Sequence, residues 1–457
     1  MRITCQPPLR QWRPAFDASP DRAELIPLLV SHAAGEPPRL DRVIATGHQA
    51  WLWHPGILAK DLALTGAARR LAAAAIHVVV DQDVLDALSL ALPVCRDQHL
   101  DVFRVILAEH DAKVPTGCQA PVDAGAVVRA LTGARDQWGK ALLADIEPVI
   151  QAYDHTPPCA TLAEQTTAVL AHLMLPYTGP VLWLQASRLE RLTGFRQLVD
   201  QMLNDAHQCA SCYNRAVAEH PEARIAPLKV APDRVEMPLW VLTWQQPRRR
   251  VFADVSGAKP ALVAPDGRPI DAGRGERLAP KALMLTAVMR SLCCDWFIHG
   301  RGGHVYDRAT EHWWSQWAQQ PLAPTALASA DLPLSFDVPL SDQRALSAAV
   351  WWNHHLPHNV DRALQLSGRH VEQKRQLLDH MNDDRDRPRR AAAYAQIHTI
   401  NRELVDQHPQ ALRDAGRRLE RARIGLANRA VGMKRDWCFG IYDLSQLQML
   451  AETFNQP

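Results

Sequence analysis

One stretch near the N-terminus leaves little freedom of architecture. Residues 42–45 (Arg-Val-Ile-Ala) read as a short buried strand that ends in Thr46, Gly47 and His48. Leu58, Leu62, Leu64, Ala68 and Leu71 then give an apolar helical face over 57–75, and the β-branched run Ile76-His77-Val78-Val79-Val80 follows, closed by Asp81-Gln82-Asp83. Strand, glycine turn, helix and strand in this order form a βαβ unit. The helix carries the chain back to the start of the first strand, so the two strands run parallel with a right-handed crossover. Parallel strands need cover on both faces, which places the chain in the α/β class.

The rest of the chain supplies that cover. Helices are expected over 123–153, 161–175, 188–207 and 283–295, with further buried strands at 179–184 and 296–298. Residues 237–244 and 250–253 read as two strands joined by a polar turn, and Asp266-Gly267 marks another hairpin turn. The turn-rich Gly35-Glu36-Pro37-Pro38 precedes the first strand. Beyond about residue 340 the texture changes. Pro339-Leu340-Ser341-Asp342 reads as a helix start. Leu364, Val371 and Leu378, then Ile397, Ile400, Leu404 and Leu412, recur at heptad-like spacing on either side of the charged run 382–388. That pattern predicts a C-terminal antiparallel coiled-coil hairpin of two long helices, 345–381 and 389–431, the second interrupted at His408-Pro409. The expected division is a core with connecting insertions over 1–342 and a helical arm with a C-terminal return segment over 343–457.

Composition narrows the partners. With 51 Lys+Arg against 49 Asp+Glu the net charge is +2, which argues against a dedicated nucleic-acid binder. No run approaches ~20 consecutive apolar residues. The first residues lack the apolar segment of a secretory signal, so neither membrane nor secretion is expected. The nine cysteines, an odd number, suit free thiols in a cytoplasmic protein.

Three segments carry chemistry. Thr46-Gly47-His48-Gln49-Ala50-Trp51-Leu52-Trp53-His54-Pro55-Gly56 joins the first strand to its helix. A glycine there lets a ligand approach the backbone, and a helix N-terminus favours an anion. His48 and His54 offer hydrogen bonds or acid/base chemistry near neutral pH. The structural alternative is a tight turn with Trp51 and Trp53 in the core. Asp81, Asp83 and Asp86 stand at the carboxyl end of the next strand, where open α/β sheets keep their ligand crevice. Carboxylates there bind an amine, a metal or a hydroxyl, or cap the following segment. His299-Gly300-Arg301-Gly302-Gly303-His304-Val305-Tyr306-Asp307 suits a loop around a phosphate or carboxylate, or a connection selected for backbone angles. Cys209 and Cys212 form a lone C-x-x-C inside an expected helix and read as core packing.

In order along the chain, these segments resemble the cysteine-adding enzyme family of bacillithiol biosynthesis. That family carries TGQQ-x-GL-x-x-GP after a strand, matched here by Thr46, Gly47, Gln49 and Leu52. Its EDHDF-x-E motif is matched by Asp81 and Asp83. Its SPRALLRP segment corresponds to Ala279-Pro280-Lys281-Ala282-Leu283-Met284, and its GGPGEIAYW-like loop is matched by Gly300, Gly302 and Tyr306. The departures are His48 for the first Gln of the pair, Trp51 and His54 for glycines, Gln82 for the central His, and Gly303 for a Glu. A family lysine after the first motif aligns with Lys60 at a one-residue offset.

The resemblance implies a Rossmann-like core related to class I aminoacyl-tRNA synthetases, with a dimerising coiled-coil arm. No KMSKS-type loop is present, which argues against a tRNA synthetase. It also implies a ligase that joins cysteine to glucosaminyl-malate and uses ATP or another nucleotide; no metal ligand set is assigned. Under this reading His48, Asp81 and Asp83 are catalytic, and Thr46, Gly47, Gln49, His54, Gly300, Arg301, Gly302 and Tyr306 bind substrate or nucleotide. The partners are small-molecule substrates and a second copy of the chain. The alternative is a non-catalytic dimeric scaffold whose crevice is filled by Trp51 and Trp53.

Overall fold

The computed structural model describes residues 1–12, 22–32, 39–84, 88–334 and 336–455; Asp86 and the 35–38 turn lie outside them. The chain divides into two units. The first comprises residues 1–92, 103–332 and 435–457, and the second 93–102 and 333–434.

The strands are β1 (Arg2–Gln6), β2 (Leu29–Ser31), β3 (Val43–Gln49), β4 (Ala74–Val80), β5 (Ser89–Arg96), β6 (His99–Ile106), β7 (Leu182–Gln185), β8 (Val230–Ala231), β9 (Arg234–Leu242), β10 (Arg249–Asp254), β11 (Ala261–Val263), β12 (Arg277–Pro280), β13 (Trp296–His299) and β14 (Thr325–Asp331). In the first unit seven of them form a sheet ordered β1-β14-β13-β3-β4-β7-β2. The inner five are parallel, and β1 and β2 close the edges antiparallel. From β3 the chain builds outward through β4 to β7, then returns to place β13 and β14 on the other side of β3. This is the doubly wound Rossmann order, and its strand order reverses between β3 and β13. The expected Rossmann-like parallel core with helical insertions is what the chain forms.

The helices of this unit are α1 (Pro55–Leu71), α2 (Ala124–Trp138), α3 (Glu147–Asp154), α4 (Leu162–Thr178), α5 (Thr193–Asn204), α6 (Ala206–Glu219), α7 (Ala282–Val288) and α8 (Arg301–Trp317). The apolar run of β3 is fully buried at Val43, Ile44 and Ala45, as a central parallel strand requires. Proline at the first position and the His54 side chain, accepting from the Gly56 N–H at 2.9 Å, start α1. Its buried face carries Leu58, Leu62 and Leu64.

Some expected helices break where capping residues fall. The 123–153 stretch is α2 and α3, because Gly139 adopts φ +47° after Trp138. The 283–295 stretch is α7 followed by a π-helical turn over Met289–Cys293. The two strands around 240 and 250 are β9 and β10, paired antiparallel and joined by β8, β11 and β12 into a second sheet inserted between the halves of the core. Cys209 and Cys212 on α6 are free and buried in the core.

The second unit contains α9 (Gln343–His355), α10 (Val360–Ala363), α11 (Arg369–Asp383), α12 (Arg387–Gln407) and α13 (Pro409–Gly432). Within it α11 packs on α12 and α13 on α9. The outbound leg is not one continuous helix. Pro357 falls in the 3₁₀ turn Leu356–His358, and Gly368 at φ +129° separates α10 from α11. Lys374 pins this broken segment, donating to Asp361 Oδ1 at 2.6 Å and to the His358 carbonyl at 2.8 Å. Leu356, Val360, Ile400, Leu404 and Ala415 form its core. Leu364, expected at the seam, is 41% exposed. The turn between α11 and α12 falls within the charged run, and Asp386 caps the Arg389 N–H at 2.9 Å. The chain then re-enters the first unit at Arg435 and ends in α14 (Leu444–Asn455), which packs on α1 and α4. Among the described residues no helix is long and apolar enough to cross a membrane.

Candidate functional site

The carboxyl ends of β3, β4 and β13 share one edge of the sheet, because neighbouring parallel strands put their ends together. A cleft of about 900 Å³ opens there, at the point where the strand order reverses. Gly47, His48 and Gln49 line it from β3, Gln82 and Asp83 from the end of β4, and His299, Gly300, Arg301, Gly302 and Tyr306 from the end of β13 and the start of α8. The inserted sheet supplies Glu236, Trp240, Arg248 and Arg250, and the C-terminal segment supplies Arg435.

Gly47 is required by packing. A Cβ at this position would lie 2.3 Å from Val78 Cγ1 on the adjacent strand. Its carbonyl accepts from Lys60 Nζ at 2.5 Å. Gln49 donates to Asp83 Oδ2 at 3.2 Å, and Arg248 donates to Asp83 Oδ1 at 2.8 Å. These contacts fix a half-exposed carboxylate at the rim of the cleft. Burial, with the Lys60 ammonium nearby, drives His48 well below the usual imidazole range. His48 is therefore neutral at physiological pH, and its Nδ1 is buried without a hydrogen-bond partner.

The segment 299–306 is not the expected loop. Gly300 is the residue before α8, and Arg301, Gly302 and Gly303 form the first turn of that helix, with no side chain capping it. Its free N–H groups thus face the cleft in the manner of an anion site. Arg301 pairs with Asp331 Oδ2 at 2.5 Å, and Arg435 binds the other oxygen of Asp331 and donates to Ser329 Oγ at 3.0 Å. Burial pushes the Asp331 carboxyl up, but the two arginines outweigh it and hold it below the usual range. Burial, reinforced by Asp307, pushes Tyr306 up to about 12, so its hydroxyl is protonated.

Also in the lining, Arg248 and Lys281 lie over the Trp240 ring at 4.4 Å and 4.7 Å from its centroid. Lys281 also donates to Glu236 Oε1 at 2.5 Å. The cleft lining therefore combines the positive start of α8 with one aromatic ring, Trp240, covered by two cations.

Three of the residues assigned from sequence lie outside the cleft lining. Thr46 is fully buried and donates its hydroxyl to the Ile298 carbonyl at 2.8 Å, stitching β3 to β13. His54 caps α1; burial and the nearby Arg435 push it down to about 3, so it is neutral and held by its own helix. Asp81 is fully buried, and its two oxygens accept from the Ser187 N–H at 2.8 Å and the Ser187 hydroxyl at 2.5 Å. Burial raises its pKa.

Lys60, Arg248 and Arg435 are the cleft residues least visible in the sequence. Arg248 sits in the run Arg248-Arg249-Arg250, which reads as an ordinary polar turn. Arg435 reaches the site only because the chain returns to the first unit after α13. Two signals point to Lys60: the apolar period of α1 places it on a buried face, and it aligns, one residue out of step, with a lysine of the resembled family.

No family profile matches the chain, and no curated protein matches it. Among solved structures the chain is similar to a Campylobacter jejuni protein provisionally assigned as an arginyl-tRNA synthetase. The identity is 11%, the match covers 92% of this chain and 93% of that one, and the TM-score is 0.26.

Proposed function

We propose that the first unit is a nucleotide-dependent ligase that joins an amino-acid carboxylate to a small amine, with cysteine and a glucosaminyl-malate-like acceptor as the pair indicated by the sequence resemblance. The observation that carries this reading is the cleft at the strand-order reversal, lined by Gly47, Gln49, Asp83 and the uncapped start of α8. Amide formation needs an activated carboxylate, which ATP or another nucleotide would supply when bound. The chain's own part is binding and orientation. Asp83, already oriented by Gln49 and Arg248, is placed to accept a hydrogen bond from the amine. The α8 N-terminus, Arg301 and Lys60 present positive charge to an anion. The scaffold alternative calls for tryptophans filling this space. Trp53 is instead 1% exposed and stacked on His77 at 4.8 Å, and neither it nor Trp51 lines the cleft.

The direct test incubates purified protein with ATP, cysteine and glucosaminyl-malate and follows the amide product by mass spectrometry. A deletion strain, if the reading holds, loses a low-molecular-weight thiol and accumulates its amine precursor in the cytoplasm. A strain with an unchanged thiol profile removes this substrate assignment.

The same proposal gives the second unit the role of dimerising arm. Val350, Trp351 and Tyr394 are exposed on it, apolar surface that a second copy would cover. Light scattering should return twice the chain mass of 51.0 kDa. A full-length monomer removes the dimer, and a dimer that survives deletion of 333–434 moves the interface to the first unit.

A further inference from the structure

Lys60 is an unusual lysine. It is 3% exposed, on the first turns of α1, yet among the described residues no carboxylate pairs with it. Its one hydrogen bond is to the Gly47 carbonyl, which leaves two of its three donors unused. The adjacent Asp61 is engaged elsewhere, 2.7 Å from His77 Nδ1 in a fully buried pair. An ammonium taken out of water without a counter-charge is costly, and buried charges are normally paired. Lys60 lines the cleft, so the missing partner has a route of entry.

The surroundings say what kind of partner fits. The aliphatic stem of Lys60 passes Gly300, where a Cβ would stand 3.5 Å from Lys60 Cδ. The ammonium and the uncapped start of α8 therefore flank the same part of the cleft. A Cβ at Gly302 would meet nothing within 4 Å, so a ligand can reach the backbone there. A lysine beside free N–H groups at a glycine-rich helix start is suited to a phosphate with several oxygens.

We propose that Lys60 is the counter-charge for a phosphate group of the bound ligand, which docks between its ammonium and the N-terminus of α8. This rests on the nucleotide-dependent reading above and assigns the phosphate end of that ligand. Burial pushes Lys60 down to about 8, partly offset by Asp61. The titratable groups facing it are His48 on β3, Asp61 on α1, His77 on β4 and His299 on β13. Burial lowers the pKa of all three histidines, so they stay neutral near pH 8. A docked phosphate returns Lys60 to its fully charged form, so binding near pH 8 takes up about half a proton.

Titration calorimetry at pH 8 in two buffers of different ionisation enthalpy reads that proton directly, with ATP, inorganic pyrophosphate and adenosine as probes. The wild type should take up about half a proton with ATP, which is fully ionised at pH 8, and none with adenosine; pyrophosphate, which carries a titrating proton of its own at this pH, reads affinity only. Lys60→Met should weaken ATP and pyrophosphate at least about tenfold and leave adenosine unchanged. Lys60→Arg, charged at all pH values, should bind ATP without proton uptake. This variant and the wild-type measurement decide the matter if Lys60→Met does not fold. ATP binding by the wild type without uptake, uptake that persists in Lys60→Arg, or equal affinity in Lys60→Met overturns the role of Lys60 and leaves nucleotide binding standing. Failure of the wild type to bind either ATP or pyrophosphate removes both.

Discussion

Asp83→Asn is expected to lower the rate of the ligation by about a hundredfold while leaving the fold intact. The carboxylate sits at the cleft rim, held by Gln49 and Arg248, with its side chain 30% exposed. Asparagine keeps the shape and one acceptor but loses the charge that orients an amine. An ion pair this open to water contributes at most about 1 kcal/mol, so the melting temperature should move little. Asp81→Asn is the informative contrast. Asp81 lies two residues earlier, fully buried, with both oxygens on Ser187. Asparagine can keep the Ser187 N–H on its oxygen only by turning its NH2 to the Ser187 hydroxyl, which must switch from donor to acceptor, and the loss of two bonds to a carboxylate should cost about 1–3 kcal/mol of stability. Assaying both variants alongside thermal unfolding separates the roles. If Asp83→Asn retains full turnover, or melts as early as Asp81→Asn, the carboxylate at the rim is structural and the proposed orientation of the amine is lost.

That contrast also marks how far the residues could be read in advance. The sheet edge was legible because the βαβ unit obliges β3 and β4 to be parallel, and a parallel pair must present its carboxyl ends together. What a one-dimensional pattern does not contain is which way a side chain turns once the strand has ended. Asp81 and Asp83 look equivalent as letters, but Asp81 turns inward to Ser187 on the far side of β4, 106 residues away. Residues 299–306 look like a loop because glycines dominate them. From Arg301 onward they form the first turns of a helix because the 14 residues after Gly303 carry the apolar face of α8, including Trp313, Trp314 and Trp317. In the second unit the heptad-like spacing identified helices, and Pro357 and Gly368, both visible in the sequence, are where the outbound leg breaks.

Asp295→Ala should strongly destabilise the first unit, because it removes an acceptor that anchors the central strand. Asp295 immediately precedes β13. Its two oxygens receive Arg22 at 2.7 and 2.9 Å, and one of them also accepts the Val43 N–H at 2.8 Å. The Arg22 and Asp295 side chains are 3% and 6% exposed. Truncating the acid takes two charge-assisted hydrogen bonds from a buried guanidinium and the acceptor from the first N–H of β3, a loss of about 3–5 kcal/mol. β3 and β13 are the strands on either side of the order reversal, so loosening this joint also loosens the cleft. The pair was invisible in the sequence for a plain reason: 273 residues separate its members, and neither lies in a motif. Arg22→Met combined with Asp295→Asn should recover much of the loss, since asparagine still accepts from Val43 and no buried charge is left unpaired. Urea unfolding followed by tryptophan fluorescence measures all three proteins on one scale. An Asp295→Ala midpoint equal to that of the wild type would mean that packing alone holds β3 against β13. A double variant no better than the single one would assign the cost to the lost Arg22 contacts rather than to an unpaired charge.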